Sequence, residues 1–358
     1  MRMQDFTWKF HKISTGFTYH YIDQAPCDGV EKRGTVICFH GFPDFAYGWR
    51  YQIEELTKRG YRVIAPDQMG CGGTDSPDGH HDKAPYTTRA AGNAAIEILK
   101  HEGVEGKIVV LGHDWGGLIA WRFLEYYTDR VACFVSLCTP PSPAAQKGEP
   151  EPDLRKVVER YPTFGYQLWL SSDEAEEKIK KNIREFIMLA FWNTWSPKRE
   201  IDDGKWAYEG EMEKLYDENL EKLKKAEIPA DELKEYVEVF QKRGISGALN
   251  FYKTRLQNYK EDIALGLPQQ FPGGPQCLLL TAENDGALPP SMVTPELLRF
   301  LFPHGNIEQK LMKNADHWLL QDDRVRGEVV TTVADFVDSQ VCGVQKSSDH
   351  EVYMQQEV

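Results

Sequence analysis

The sequence predicts an α/β fold with a mostly parallel central sheet flanked by helices and a helical cap inserted after a central strand. Three observations carry that prediction. Short apolar runs bounded by turn residues recur along the chain with helical patterns between several of them, the texture of a sheet buried on both faces. The stretch Lys107 to Ala120 passes from apolar strand through a small-residue turn directly into a helix. After Thr139-Pro-Pro-Ser-Pro143 a long charged stretch rich in tryptophan and tyrosine interrupts the alternation, which resumes at Gln276.

The elements follow in order. Thr35-Val-Ile-Cys-Phe39 is β-branched and aromatic, hence a strand, and ends in His40-Gly41-Phe42-Pro43. A glycine turn there lets the Phe42 N–H face the carboxyl end of the sheet. His40 is expected to hydrogen-bond in support of the turn, and Pro43 to fix it. Arg62 to Pro66 reads as a strand and Ala90 to Lys100 as a helix.

Ile108 to Leu111 is the next strand, and Gly112-His-Asp-Trp-Gly116 has the layout of a nucleophile elbow. Asp114 stands where such a turn usually carries serine. A carboxylate is anionic at neutral pH and needs no base to activate it. It can attack an sp3 carbon and leave an alkyl ester that a later step must hydrolyse. Epoxides and alkyl halides therefore fit better than amides or simple esters. The Trp115 N–H would join that of Phe42 in holding an oxyanion. Leu118 to Tyr127 continues as helix and Val131 to Leu137 as strand. In such sheets the active site lies at the carboxyl ends of the strands, where Asp114 and Phe42 both fall.

We expect a core in two parts, residues 1–139 and 268–341, a helical cap over 140–267, and a polar, disordered tail over 342–358. Within the cap, Ser171-Ser-Asp-Glu174 predicts a capped helix start, Glu174/Lys178 and Glu177/Lys181 are i,i+4 pairs, and Ile179, Ile183, Phe186, Ile187 and Ala190 form one apolar stripe. Cys277 to Thr281 and Asn306 to Leu311 predict the last strands. Hydrolysing an alkyl ester needs a base to activate water. His317, in the loop Asn314-Ala-Asp-His-Trp318 after the last strand, is the best of ten histidines. Its partner acid should follow Leu278 to Thr281, where Glu283 and Asp285 both qualify.

Together, His40-Gly-Phe-Pro43, Gly112-His-Asp-Trp-Gly-Gly117 and the turn from Gly70 to Thr74 resemble the soluble epoxide hydrolases of the α/β-hydrolase superfamily. The resemblance runs from near Phe17 to near Asp338. It implies the α/β-hydrolase fold and the chain order nucleophile, acid, histidine, which favours Asp285 over Glu283 and makes His317 the base. It also implies two cap tyrosines that donate to the epoxide oxygen: Phe164-Gly-Tyr-Gln-Leu-Trp169 supplies Tyr166, and Ala248-Leu-Asn-Phe-Tyr-Lys253 supplies Tyr252. A phenol with a pKa of about 10 is neutral at pH 7 yet acidic enough to donate as charge develops. Trp115, Trp169, Trp192 and Trp318 are candidate substrate contacts, with Trp195 in the cavity wall or the core. The implied activity is cofactor- and metal-free hydrolysis of an epoxide to a trans diol through an Asp114 ester.

A haloalkane or haloacid dehalogenase would use the same nucleophile. It needs no paired tyrosines; the haloalkane type often has Asn where Phe42 stands, and the fluoroacetate type has arginines where Trp115 and Leu118 stand. A catalytically inactive fold serving as receptor or scaffold fits poorly, because every expected catalytic position is filled.

The 358 residues, 41% hydrophobic and 12% aromatic, are ample for a large core. A net charge of −13 argues against nucleic acid or an anionic membrane surface as partner. Seven cysteines lack metal-like or disulfide-like spacing, which fits buried thiols in a reducing compartment. Met1 to Lys9 has no apolar signal core, and no run reaches spanning length, so a cytoplasmic protein without a membrane anchor is expected, its partner a small-molecule epoxide.

Overall fold

The computed structural model describes the backbone of residues 2–195 and 205–354. Its strands are β1 (Trp8–Lys12), β2 (Thr18–Gln24), β3 (Gly34–Phe39), β4 (Tyr61–Pro66), β5 (Ile108–His113), β6 (Val131–Leu137), β7 (Gln276–Ala282) and β8 (Ile307–Met312). They form one sheet in the order β1-β2-β4-β3-β5-β6-β7-β8, antiparallel only at β1/β2 and β2/β4. The central strands β3, β5, β6 and β7 are the continuous apolar runs, buried along nearly their whole length. At the edges, Lys9 and Lys12 of β1 and Glu308 and Lys310 of β8 place charge on the open rows, which discourages further strand pairing. The hairpin β1/β2 adds an antiparallel margin that its mixed polar and aromatic sequence does not announce.

Helices α1 (Arg50–Lys58), α2 (Thr88–His101) and α3 (Trp115–Tyr126) follow β3, β4 and β5. Between β6 and β7 the chain forms α4 (Leu154–Arg160), α5 (Tyr166–Leu170), α6 (Asp173–Lys181), α7 (Ile183–Ala190), α8 (Trp192–Trp195), α9 (Glu211–Lys225), α10 (Asp231–Arg243), α11 (Ser246–Leu249) and α12 (Arg255–Leu265). Then come α13 (Pro295–Leu301) and α14 (Arg326–Met354). Helix α1 packs on α14 and α2 on α3, covering the sheet. Among the described residues no helix is long and apolar enough to cross a membrane.

Three local expectations differ from the structure. The apolar stripe from Ile179 to Ala190 spans two helices, because Asn182 leaves helical geometry (φ −141°, ψ 49°) while its side chain bonds back to the Lys178 carbonyl at 3.1 Å. Ser172, not Ser171, caps α6, accepting from the Ala175 N–H at 3.1 Å. Helix α14 runs to Met354, past the boundary expected at 341/342, with only 355–358 of the tail outside the described residues. A helix nucleated by the buried stripe Val329, Val333 and Val337 gains one hydrogen bond for each residue added, so extension through polar sequence is cheap.

Register positions the site. Phe39 lies opposite Gly112, so the loops leaving β3 and β5 emerge side by side where the strand order reverses. Ala282 lies opposite Met312, and the Asn284 N–H bonds to the Ala315 carbonyl at 2.8 Å, so the loops carrying residues 285 and 317 run together.

One buried arginine ties the inserted helical segment to this frame. Arg122, on α3 two turns after Asp114, grips both Asp262 carboxylate oxygens on α12 (3.1 and 3.0 Å). It also donates to Glu125 at 2.9 Å and to the Ser142 and Pro143 carbonyls at 2.8 and 3.1 Å. Arg122→Met would leave Asp262 buried without its cation, a loss of about 3–5 kcal/mol by the usual cost of breaking a buried pair. Urea unfolding of the variant is expected to register that loss; a loss below about 1 kcal/mol would place the attachment elsewhere.

Candidate active site

Asp114 joins the last residue of β5 to the first of α3, with φ 53° and ψ −126°, a conformation that costs a non-glycine residue free energy and pushes its side chain out of the sheet. The turn closes only because Gly116 is there: a Cβ on it would stand 2.0 Å from the Phe39 carbonyl oxygen. Gly41 faces Asp114 as tightly, its Cβ position being 2.3 Å from Asp114 Oδ1. That proximity delivers the Phe42 N–H to Asp114 Oδ1 at 2.7 Å. Trp115 opens α3 directly after Asp114, so its N–H is one of the helix's free amino-terminal donors. The Asp114 carbonyl is pinned from behind by the Thr139 hydroxyl at 2.7 Å.

His40 takes no part in this contact. The Gln68 N–H donates to its Nε2 at 2.8 Å, so Nδ1 carries the proton and donates to the Gly41 carbonyl at 2.9 Å. The ring braces the turn, as expected from the sequence, next to a cis Phe42–Pro43 bond.

His317 lies between two carboxylates. Its Nδ1 is 2.8 Å from Asp285 Oδ2, and its Nε2 is 3.5 Å from Asp114 Oδ2. Asp285 Oδ1 accepts from the Ala287 and Leu288 N–H groups at 2.9 and 2.8 Å, which fixes the acid. Burial alone would raise Asp285, but the His317 charge and these donors outweigh it and hold the carboxyl below its ordinary value. Burial would lower His317, yet the Asp285 charge and hydrogen bonds to both acids prevail and hold the imidazole well above its ordinary value. Glu283 points elsewhere: it is exposed and accepts from the Asn314 N–H at 2.8 Å, bracing the loop that bears His317.

Sequence reasoning passed over two supports of that loop. His113 Nε2–H donates to the His317 carbonyl at 2.8 Å, and burial first, then the charge of His317, lowers His113 to about 4, so it is neutral. The Cys138 thiol, φ 64° at the end of β6, reaches the same carbonyl at 3.6 Å. His113 could have been found as the neighbour of the elbow aspartate; Cys138 had no signal beyond its place after a strand. His113, Cys138 and His317 also form the metal-like cluster found among the described residues; His113 Nε2, the Cys138 thiol and His317 Nδ1 already serve this loop and the Asp285 pair, and His113 Nδ1 is buried without a hydrogen-bond partner.

Opposite Asp114, Tyr166 opens α5 and Tyr252 lies just before α12, their rings perpendicular with centroids 5.9 Å apart. Asp114, His317, Tyr166 and Tyr252 line one cavity, otherwise walled mainly by Phe186, Leu189, Trp192, Trp206, Met212 and Leu215. Burial raises both phenols, and the Asp114 charge adds to it, so they are neutral donors. A wider cleft of about 900 Å³ shares Asn193, Asn284, Gly286 and Asp316 with this cavity.

The tryptophans divide. Trp192 and Trp318 line the cavity. Trp169 does not: its ring packs on Tyr216, 5.6 Å between centroids, because the side chain one residue before Leu170 turns to the other side of α5. The Trp115 ring also stands back from the cavity, perpendicular to Tyr252 at 5.2 Å and stacked near Phe251, so it supports a phenol. Trp206, in the wall, went unnamed in the sequence reading, having no periodic pattern around it to place it.

Comparison with known proteins adds the relationships. A family model described as alpha/beta hydrolase fold matches residues 34–323. The chain is similar to epoxide hydrolase srdG of Neurospora crassa, 28% identical over 312 residues, covering 86% of this chain and 88% of the relative. It is 30% identical over 287 residues to bifunctional epoxide hydrolase 2 of Mus musculus, 78% of this chain but only 47% of that longer protein. Among solved structures, epoxide hydrolase A of Mycobacterium thermoresistibile superposes with a TM-score of 0.70 at 25% identity, covering 92% of this chain and 98% of that one. With a family match over most of its length and the strand order, elbow and loop geometry described above, the chain belongs to the α/β-hydrolase fold family.

Proposed function

We propose that this protein is an epoxide hydrolase that opens its substrate through a covalent Asp114 ester. The observation that carries the reading is a carboxylate nucleophile facing two neutral phenols across one apolar cavity. A carboxylate attacks carbon, and paired phenols serve a leaving oxygen that must take up a proton. A halide needs none, which weighs against a dehalogenase. The relatives named epoxide hydrolases support the same choice.

In this scheme the segment of residues 140–267 is the lid, and substrate lies between it and the sheet with its epoxide oxygen held by Tyr166 and Tyr252. Asp114 Oδ1 stays against the Phe42 N–H while Oδ2 attacks a ring carbon; the C–O bond breaks and the oxygen takes a phenolic proton. Esterification removes the Asp114 charge, one of the influences that favours protonated His317, and so favours the neutral ring that the second step needs. His317, oriented by Asp285, then takes a proton from water, which adds to the ester carbonyl carbon. The oxyanion rests on the Phe42 and Trp115 N–H groups, a donor of this kind being worth about 3–4 kcal/mol. The Cγ–Oδ2 bond breaks as the His317 imidazolium gives its proton to Oδ2, the trans diol leaves with Oδ2, the oxygen of water stays in Asp114, and the proton left on that carboxyl restores the phenol. These residues do the chemistry with no metal or organic cofactor. Free thiols among the described cysteines support a reducing, cytoplasmic setting.

The hydroxyl assignments are tested by replacing Tyr166 and Tyr252 together with Phe. Epoxide turnover should be abolished with the fold retained by circular dichroism, and either single change should be milder. Near-normal turnover by the double variant would return the dehalogenase reading.

His317→Gln should still be alkylated, because Asp114 needs no base, and should then stall. Mass spectrometry is expected to find the protein heavier by one substrate, on the peptide bearing Asp114. Unmodified protein in the presence of bound epoxide would contradict the two steps.

A single turnover in ¹⁸O-labelled water with enzyme in excess separates ester formation from direct hydration. The diol should be mostly unlabelled and the label should enter Asp114. Label in the first-turnover diol would mean that Asp114 acts as a base on water.

A further inference from the structure

Arg255 is a cation where local physics disfavours one. It is the first residue of α12, the end of a helix that repels positive charge, and it is largely withdrawn from water. Among the described residues no carboxylate lies within ion-pair distance of it; its one hydrogen bond runs from Nη2 to the buried Gln167 Oε1 at 2.8 Å. Arg122, the more deeply buried of the two, is matched by Asp262 and Glu125, so this fold does supply counterions elsewhere. Burial pulls the Arg255 guanidinium down and Tyr166 pulls it back up, but a guanidinium stays charged in either case.

Its place in the chain gives that charge a use. Gln167 adjoins Tyr166, and Arg255 is three residues beyond Tyr252. The contact therefore joins the two segments that carry the phenols. As an epoxide ring opens, negative charge collects on its oxygen and on the phenol that donates to it. Burial and Asp114 both oppose charge on Tyr166, while His317 and the Gln167 hydrogen bond favour it, and the Arg255 guanidinium and a Tyr166 phenolate attract each other.

We infer that Arg255 is a positioning residue for ring opening, its uncompensated charge held beside Tyr166 through Gln167 so that negative charge on the epoxide oxygen and the phenols is stabilised. This rests on the epoxide-hydrolase reading above, and the test keeps the two apart. Gln167→Glu would give Arg255 the counterion it lacks. A purely structural arginine predicts equal or higher melting temperature and unchanged chemistry.

In a His317→Gln background, alkylation by styrene oxide is followed by mass spectrometry across epoxide concentrations. Adding Gln167→Glu, or Arg255→Met, should slow maximal alkylation about tenfold or more, with little change in the half-saturating concentration. Arg255→Lys, which keeps the charge, should stay within about threefold of the parent. If Arg255→Met does not fold, the Gln167→Glu and Arg255→Lys pair decides alone. Parent-like alkylation by Gln167→Glu, or an Arg255→Lys protein as slow as Gln167→Glu, would overturn the inference while leaving epoxide hydrolysis intact. If the parent itself formed no ester, the underlying reading would fall and this inference with it.

Discussion

A nearly buried carboxylate is costly unless something donates to it, and the fold is organised around meeting that demand at Asp114. The Phe42 N–H does so at 2.7 Å, and it can because β3 and β5 are paired with Phe39 opposite Gly112. Shifting that register by one residue would turn every side chain of the strand to the other face and carry the His40–Pro43 turn away from the elbow. The same closeness dictates Gly41 and Gly116, since any Cβ there would collide with Asp114 or with β3.

On the other side of Asp114 the constraint is electrostatic. His317 is held between Asp114 and Asp285, so its proton affinity depends on the state of both acids. Asp285 is pinned by two backbone donors and does not change during the proposed cycle; Asp114 does. The loop bearing the histidine is held by its main chain, through His113, Cys138 and the Asn284–Ala315 bond, which leaves the ring itself free to exchange a proton.

The phenols come from a different part of the chain, and their placement depends on contacts made by charged groups inside the protein. Arg122 joins α3, which begins right after Asp114, to α12, which begins just after Tyr252. Arg255 joins that same helix to the residue after Tyr166. One arginine is matched by the carboxylates of Asp262 and Glu125, while the other has a neutral partner in Gln167.

By itself the sequence determined the parts that local rules govern. Continuous apolar runs marked the central strands, because a strand buried on both faces has no polar positions to spare. Glycines around Asp114 marked the elbow, because only they permit so sharp a turn. The order of Asp114, Asp285 and His317, and the two tyrosine segments, came from resemblance. Tertiary structure alone decided what depends on which surface meets which. It broke the apolar stripe at Asn182, turned Trp169 onto Tyr216, brought Trp206 into the cavity wall and set Trp115 against Tyr252. It also assigned His113 and Cys138 to the His317 carbonyl and left Arg255 without an acid. A side chain's type sets what it can bond to, but which partner lies in reach is fixed by packing between segments distant in the chain, and no local pattern encodes that distance.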